Sequence, residues 1–320
     1  MAPRTVDVPA LVESARAGSP RAVARLISLV EDAHPALREV MAALAPHTGQ
    51  AHIIGITGSP GVGKSTSTNA LVGAFRKQGK RIGILAVDPS SPFSGGALLG
   101  DRVRMQDHAL DPDVYIRSMA SRGHLGGLSW TTPQALRVLD AAGCEVILVE
   151  TVGVGQSEVE IAGLADTTIV LLAPGMGDGI QAAKAGILEI GDVFVVNKAD
   201  RDGADATVRD IRHMISLGDR TEPGLWRPPV IKTVAQAGQG IDEVIEAIEK
   251  HTSWMEESGT LRERRVRRAG DEIESIALQA LRAKMGDLRH GSGVEELAGA
   301  VVDGTTDPYA AADQVVAALA

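Results

Sequence analysis

Short apolar runs alternate with amphipathic segments along most of the chain. Between residue 52 and about residue 251, seven runs of strand length are separated by stretches in which apolar side chains recur with helical spacing. This alternation predicts an α/β fold, in which a mostly parallel central sheet is flanked by helices and ligands bind at the carboxyl ends of the strands. The runs are HIIGIT (52–57), RIGILAVD (81–88), DVYIRSM (113–119), EVILVET (145–151), TTIVLLAP (167–174), DVFVVNKAD (192–200) and PPVIKTVA (228–235).

Helical patterns continue on both sides of this region. Residues 7 to about 47 have helical periodicity, and in GSPRAVARLISLV Ser19 can cap a helix whose first position holds Pro20. After Thr252 we expect one long helix, roughly 254–286, and then a looser helical tail. The predicted organisation is an N-terminal helical extension (1–48), an α/β domain (49–252) and a C-terminal helical arm and tail (253–320).

The stretch GSPGVGKS (58–65) stands between the first apolar run and a helical segment. Its spacing, G-x-x-x-x-G-K-[ST], predicts a P-loop, in which backbone N–H groups surround phosphate oxygens. Lys64 is expected to place its charge on the outer phosphates as a catalytic group, and Ser65 to give Mg²⁺ an oxygen ligand. The predicted phosphate-binding residues are Gly58, Ser59, Pro60, Gly61, Val62, Gly63, Lys64, Ser65 and Thr66.

The stretch NKAD (197–200) indicates which base is bound. The Asp200 carboxylate can accept hydrogen bonds from N1–H and the 2-amino group of guanine, and adenine lacks that pair of donors. Asn197 is expected to brace the phosphate loop and the base pocket, while the Lys198 stem packs along the base. GTP and GDP are therefore the predicted ligands. A backbone N–H for the guanine oxygen can come from TVA, which is Thr233, Val234 and Ala235.

The magnesium and hydrolysis residues follow other strand ends. Glu150 stands where many GTPases have the Asp of Asp-x-x-Gly and can reach Mg²⁺ or its water, and Gly153 can offer its N–H to the γ-phosphate. Asp88 and Asp101 are further Mg²⁺ candidates, with a strand-end or helix-capping role as the alternative for each. Gln156 is the nearest candidate for orienting water. Because no obvious water-orienting residue is present, we expect slow intrinsic hydrolysis.

Composition adds limits on partners and compartment. A net charge of −9 and a pI near 5.4 argue against nucleic acid as the main partner. The five arginines of LRERRVRR (261–268) are expected on a solvated or subunit-facing helix surface. Cys144 is the single cysteine, and the sequence shows neither a signal peptide nor an apolar run of bilayer-spanning length. We therefore expect a cytoplasmic protein without a membrane partner.

Five segments are together similar to one protein family. They are GSPRAVARLISLVED (18–32), GSPGVGKST (58–66), DPSSPFSGGALLGDRVRM (88–105), VETVGVGQSE (149–158) and APGMGDGIQAAKAGILEIGDVFVVNKAD (173–200). Over about residues 8–290 the chain resembles the MeaB/MMAA family, also called ArgK, whose members are GTPases associated with adenosylcobalamin-dependent methylmalonyl-CoA mutase. The resemblance implies a P-loop NTPase fold with a G domain of the SIMIBI type.

The same resemblance implies a function. It points to a homodimeric chaperone that uses GTP to gate adenosylcobalamin delivery to methylmalonyl-CoA mutase, and that protects or reactivates the mutase. It places switch segments around residues 89–105, 151–158 and 174–188, with Asp178 and Lys184 signalling to the mutase. The helix after Trp254 would form the dimerisation arm.

Two alternatives stay open from the sequence. A nickel-insertion accessory GTPase would need a soft or imidazole metal site, and one Cys with eight scattered His counts against it. A kinase linked to lysine, arginine or ornithine transport would transfer phosphate to an acceptor rather than to water. The NKAD stretch argues against ATP as the donor in that reaction.

Overall fold

The computed structural model describes residues 6–88, 106–108, 110–120, 131–151, 157–175, 187–217, 224–290 and 293–317. Within these ranges seven strands form one sheet in the order β3-β2-β4-β1-β5-β6-β7, and each neighbouring pair is parallel. Every predicted apolar run contains one strand, so the predicted α/β fold is confirmed. The strands are β1 (His52–Thr57), β2 (Ile82–Asp88), β3 (Val114–Ala120), β4 (Val146–Thr151), β5 (Thr167–Leu172), β6 (Val193–Val196) and β7 (Val230–Lys232).

Helices cover the sheet and extend the chain at both ends. The caps of the first two helices follow from sequence, because the side chains of Asp7 and Ser19 accept hydrogen bonds from the backbone N–H groups of Ala10 and Ala22. The helices are α1 (Val8–Arg16), α2 (Pro20–Glu31), α3 (Leu37–Leu44), α4 (Lys64–Lys77), α5 (Thr132–Ala141), α6 (Ser157–Leu164), α7 (Ile187–Ile190), α8 (Ala204–Ser216), α9 (Ile241–Ser258), α10 (Thr260–His290), α11 (Gly293–Val302) and α12 (Pro308–Ala317).

The core lies on both faces of the sheet, which explains why the strands are continuous aliphatic runs rather than alternating ones. On one face, buried side chains of α1, α2, α3 and α5 pack with alternate residues of β1, β2 and β4, such as Ile53 and Ile147. On the other face, Ile54 and Leu148 pack with buried side chains of α4 and α9. The N-terminal helices therefore share their core with the sheet.

The chain divides into two compact units, Met1–Arg265 and Val266–Ala320. The boundaries predicted from the sequence, at 48 and 252, stay a prediction. Among the described residues, no helix combines the length and the apolar character that a bilayer crossing requires.

One expected helix is divided into two. Instead of a single helix from about residue 254 to 286, α9 ends at Ser258 and α10 begins at Thr260. Gly259, with φ of 79°, adopts the left-handed conformation that ends helices and that glycine enters without steric cost. Trp254 therefore lies in the last turns of α9, and the predicted start of the long helix was wrong.

The strands begin at one edge of the sheet, called here the amino edge, where two arginines of α10 are bound. Arg264 donates from both terminal nitrogens to the two oxygens of Asp192, each at 2.9 Å, and Asp192 raises the pKa of this guanidinium. Arg265 donates to Asp166 at 3.0 Å and to the carbonyl oxygens of Gly49 and Ala51. The expectation of a solvated or subunit-facing surface was wrong for these two arginines, because each pairs with a buried carboxylate of its own chain.

Candidate functional site

The opposite edge, called here the carboxyl edge, carries the P-loop between β1 and α4. Two of its glycines are required by close approach as well as by backbone angle. Gly58 has φ of 140° and a Cβ there would lie 2.3 Å from the carbonyl oxygen of Leu171 in β5. Gly63 has φ of 97°, and a Cβ there would lie 2.5 Å from Asn197 Nδ2. The loop therefore passes close to the end of β5 and to Asn197, which follows β6.

Lys64 is the first residue of α4 and is almost fully buried within the loop that it closes. Its Nζ donates to the carbonyl oxygen of Gly58 at 2.6 Å and to that of Ser59 at 3.3 Å. The lysine charge thus lies inside the loop, next to the N–H groups of the first turn of α4. A helix N-terminus and an ammonium group together favour bound phosphate.

Glu150 lies near the end of β4 and is 2% exposed. Its Oε1 accepts a hydrogen bond from Ser65 Oγ at 2.7 Å, although the two residues are 85 positions apart in the sequence. Its Oε2 accepts from Thr68 Oγ1 at 3.0 Å. The structure therefore brings together two of the predicted magnesium residues and adds Thr68, which sequence reasoning missed. The available signal was its position one helical turn after Ser65, on the same face of α4.

The oxygen donors at this point suit magnesium rather than a softer metal. Mg²⁺ usually keeps several waters and takes one or two carboxylates together with substrate phosphates. Ser65 and Glu150 match that pattern. Among the described residues, no group of three or more His, Cys, Asp or Glu side chains is arranged to hold a metal by itself. Asp88 is the last residue of β2 and its side chain is not described, so its metal role stays a prediction.

Asn197 connects the phosphate loop to the predicted base-binding segment. Its Nδ2 donates to the Val62 carbonyl oxygen at 2.9 Å, and its Oδ1 accepts from the Ala235 N–H at 3.1 Å and from Thr233 Oγ1 at 3.2 Å. Asn197 is 3% exposed, so these contacts form away from solvent. Lys198, which has a positive φ of 56°, donates from Nζ to the Gly61 carbonyl oxygen at 2.6 Å. Both side chains thus contact the P-loop from the end of β6.

Asp200 is exposed in the loop after β6. That loop is held by the hydrogen bond from the Ala199 N–H to the Thr233 carbonyl oxygen at 3.0 Å. The predicted base-reading carboxylate and the TVA segment consequently lie at neighbouring strand ends on the carboxyl edge.

The backbone N–H groups of TVA donate within the chain. The acceptors are the Val196 carbonyl oxygen for Thr233, the Gln239 carbonyl oxygen for Val234 and Asn197 Oδ1 for Ala235. A guanine oxygen would share one of these donors with the chain. The assignment of that N–H therefore stays a prediction.

Several sequence-based assignments lie outside the described residues. They are Asp101, Gly153, Gln156, Asp178 and Lys184. One predicted switch segment begins at Thr151. This is the last residue of β4, and its backbone is described.

Comparison with known proteins identifies the family. The family model described as methylmalonyl Co-A mutase-associated GTPase MeaB matches residues 23–288. The chain belongs to the MeaB family. The resemblance deduced from the five sequence segments is thereby confirmed, and the protein is a GTPase that binds guanine nucleotide.

Relatives of this MeaB-family chain come from distant organisms. A protein of Pyrococcus abyssi is 48% identical over 96% of this chain and 95% of its own length. The mouse methylmalonic aciduria type A homolog, a mitochondrial protein, is 40% identical over 66% of this chain and 52% of its own length. A crystal structure titled LAO/AO transport system kinase has a TM-score of 0.69 and 28% identity, covering 97% of this chain and 96% of that one. That likeness supports the P-loop GTPase fold over nearly the whole length.

Proposed function

We propose that this GTPase is a chaperone that gates adenosylcobalamin delivery to methylmalonyl-CoA mutase, and that it protects or reactivates the mutase. The description of the matching family, which names a mutase-associated GTPase, supports the partner. The observation that carries the nucleotide part is the contact of Asn197 with both Val62 of the P-loop and Ala235 of the base segment. Because this one side chain joins the two binding regions, phosphate and base can be bound as parts of one nucleotide.

Guanine selectivity is assigned to Asp200, with the backbone of residues 58–66 around the phosphates and Lys64 on the outer ones. A carboxylate that accepts from two guanine donors rejects adenine, since adenine would leave it without those hydrogen bonds. Gly153 and Gln156 are proposed at the γ-phosphate and the attacking water. Because Gln156 is only the nearest candidate for orienting water, we expect a slow intrinsic rate of GTP hydrolysis, which a partner can increase.

Magnesium is proposed at Ser65 and Glu150, with Asp88 and Asp101 as further candidates. When bound there, Mg²⁺ would neutralise charge on the phosphates. Ser65 can offer oxygen lone pairs to the ion while its O–H group donates a hydrogen bond to Glu150. The carboxylate can then hold the hydroxyl in one orientation.

Coupling to the mutase is proposed to pass through the switch segments, with Asp178 and Lys184 as the signalling residues. Loops ordered by a γ-phosphate relax after hydrolysis, so the state of the nucleotide becomes a loop geometry that a partner can detect. The homologue from mouse, named for methylmalonic aciduria, is in keeping with a task in methylmalonyl metabolism.

A homodimer is proposed through α10. The exposed apolar side chains of this helix include Val266, Ile273 and Ile276, which are 60%, 68% and 46% exposed. Their spacing of seven and three residues places them on one helix face. Apolar exposure of this extent along one helix is typical of an interface. Light scattering measures the mass of Ile273→Asp and of the unchanged protein in solution. We expect a lower mass for the variant, and equal masses would contradict the proposal.

The main experiment measures GTP turnover of the full chain with and without methylmalonyl-CoA mutase and cobalamin. Calorimetry with the mutase should show binding that differs between the GTP state, the GDP state and the nucleotide-free protein. Lys64→Ala serves as the matched control, since it should lose nucleotide dependence. A mutase that binds equally in every state, or does not bind, would refute the chaperone proposal and leave the GTPase assignment intact.

A kinase activity is the second candidate, because the similar crystal structure is titled as a transport system kinase. Turnover of γ-labelled GTP separates the two. We expect label in free phosphate. Label transferred to an amino acid or a protein would favour the kinase.

A further inference from the structure

Thr68 holds the second oxygen of the carboxylate proposed at the magnesium site. Its side chain is fully buried, and its Oγ1 lies 3.0 Å from Glu150 Oε2. Ser65 Oγ lies 2.7 Å from Oε1 of the same carboxylate. Since residues three apart on a helix share one face, α4 presents both hydroxyls to Glu150 together.

The length of the glutamate explains why a second hydroxyl matters. Glutamate has one rotatable bond more than the aspartate that many GTPases carry at this point, so its carboxylate has more orientations to lose. A hydrogen bond to Oε1 alone leaves rotation about the terminal bonds partly free, because that torsion is broad. Contact at Oε2 from the same helix restricts that rotation. Oε1 then stays opposite Ser65.

The hydroxyl of Thr68 also lies 3.0 Å from the Lys64 carbonyl oxygen. A threonine hydroxyl has one proton, which it shares or alternates between the two acceptors. The contact to Lys64 fixes where the oxygen of Thr68 lies in the first turns of α4. The Thr68 oxygen that contacts Glu150 is therefore held at a fixed position on the helix.

We infer that Thr68 is a positioning residue for cation-dependent GTP binding and turnover, acting through Glu150. The inference rests on the proposed placement of magnesium at Ser65 and Glu150. Thr68 does not touch the nucleotide or the cation in this role. It keeps the Glu150 carboxylate oriented so that the Ser65 hydroxyl presents its lone pairs outward.

The test compares three variants of the full chain. Thr68→Val keeps the shape and removes the hydroxyl, and Thr68→Ser restores it. Ser67→Ala is the matched control, because Ser67 is also buried on α4 and its hydroxyl has no hydrogen-bond partner among the described residues. Affinity for a fluorescent GTP analogue and the rate of GTP hydrolysis are both measured as functions of Mg²⁺ concentration.

For Thr68→Val we expect the Mg²⁺ concentration at half-maximal affinity to rise about tenfold, the scale of one hydrogen bond to a charged group. Affinity measured in EDTA should stay close to that of the unchanged protein. The Mg²⁺ requirement of Thr68→Ser should lie within about threefold of that of the unchanged protein, and Ser67→Ala should leave it unaltered. Urea unfolding of each variant shows whether it is folded.

A second pair of variants separates positioning from loss of packing. In a Glu150→Asp background the shorter carboxylate no longer matches the spacing of the two hydroxyls, so Thr68→Val should change the Mg²⁺ requirement much less. An equal change in both backgrounds would overturn the inference, because the effect would then not pass through Glu150.

Two outcomes distinguish the inference from the function on which it rests. If the unchanged protein depends on Mg²⁺ and Thr68→Val has the same dependence, the role of Thr68 is refuted and the magnesium site stands. If the unchanged protein binds and hydrolyses GTP without regard to Mg²⁺, the magnesium site itself is refuted, and the role of Thr68 with it.

Discussion

The two edges of the sheet bury carboxylates in different ways. At the amino edge, Asp192 accepts hydrogen bonds from both terminal nitrogens of Arg264 and from the Thr168 backbone N–H, each with a nitrogen–oxygen distance of 2.9 Å. At the carboxyl edge, the two oxygens of Glu150 accept from the hydroxyls of Ser65 and Thr68. A guanidinium is a permanent cation with a planar fork that matches a carboxylate, whereas a hydroxyl is neutral and can also offer its oxygen to a cation.

This difference separates stability from binding. At the amino edge the charge of Asp192 is already compensated within the protein, because Arg264 binds both of its oxygens. Hydroxyl contacts leave the carboxyl edge able to accept a ligand without breaking an ion pair. We therefore expect substitutions at the carboxyl edge to change nucleotide binding, and substitutions at the amino edge to change the free energy of unfolding.

The largest expected effect is at the carboxyl edge. Lys64→Ala should weaken GTP binding by about 1000-fold, since removal of a buried charge from its partner costs several kcal/mol. Calorimetric titration with GTP measures this change. Lys77→Ala, on the exposed end of the same helix, is the control and should bind as before. Unchanged GTP affinity in Lys64→Ala would contradict the phosphate assignment.

The next effect is at the amino edge. Arg264→Ala leaves Asp192, which is 2% exposed, without its guanidinium and should lower the free energy of unfolding by about 3 kcal/mol. Urea denaturation measures that loss, and Arg262→Ala, an exposed arginine of the same helix, should change it by less than about 0.5 kcal/mol. GTP affinity of folded Arg264→Ala should equal that of the original. If Arg264→Ala instead lost most of its GTP affinity and kept its free energy of unfolding, the proposed division between a stabilising amino edge and a binding carboxyl edge would be wrong.

A third test concerns base selection at the carboxyl edge. Asp200→Asn should reduce the preference for guanine by about 30-fold and move it toward xanthine nucleotides, whose C2 carbonyl can accept from the new amide. Competition between GTP and XTP for a fluorescent nucleotide measures the preference. Asp202→Asn, an exposed neighbour, provides the comparison. Retained guanine selectivity would show that Asp200 does not read the base.

The smallest effect is an acid dependence at the amino edge. Arg76 donates to Asp111 at 2.8 Å, and this hydrogen bond lowers the pKa of Asp111 below its usual 3.8. Because the folded-state pKa is lowered, the stabilisation is complete above that usual value and is lost as the pH falls through the folded-state pKa. Both side chains are partly exposed, so the contribution is below about 1 kcal/mol.

Urea midpoints at pH 6 and near pH 3 measure this contribution. Asp111→Asn should be slightly less stable than the unchanged protein at pH 6 and should lose less stability on acidification. The control is Asp210→Asn, at an exposed position of α8. An identical acid response in Asp111→Asn and the unchanged protein would show that the pair contributes nothing.

Sequence reasoning predicted the sheet and the positions of the carboxyl-edge residues because these depend on local patterns. A buried parallel strand must be an apolar run, and the chain can only approach Leu171 and Asn197 where it has glycine, at 58 and 63. The family resemblance followed from five longer segments, of which the P-loop stretch 58–66 is one. Placement of Ser65 beside Glu150 then follows from parallel strands ending at one edge.

The amino edge could not be predicted in that way. Arg264 and Asp192 are 72 positions apart, and Arg265 and Asp166 are 99 apart, so no spacing rule connects them. The composition of an arginine run also does not show whether its side chains face solvent or pair with carboxylates of the same chain. The break at Gly259, in contrast, could have been predicted. Ser258-Gly259-Thr260 contains a recognisable helix end and helix start, but the prediction relied on apolar periodicity, which continues across them.

The position of Gly63 against Asn197 has a consequence for genetics. A methyl group at residue 63 would press on the amide that also holds Val62 and Ala235. Such a change would disturb triphosphate retention and discrimination between purines at the same time. A mutant allele there would therefore show two separate biochemical defects, although a single added carbon atom would be the cause of both.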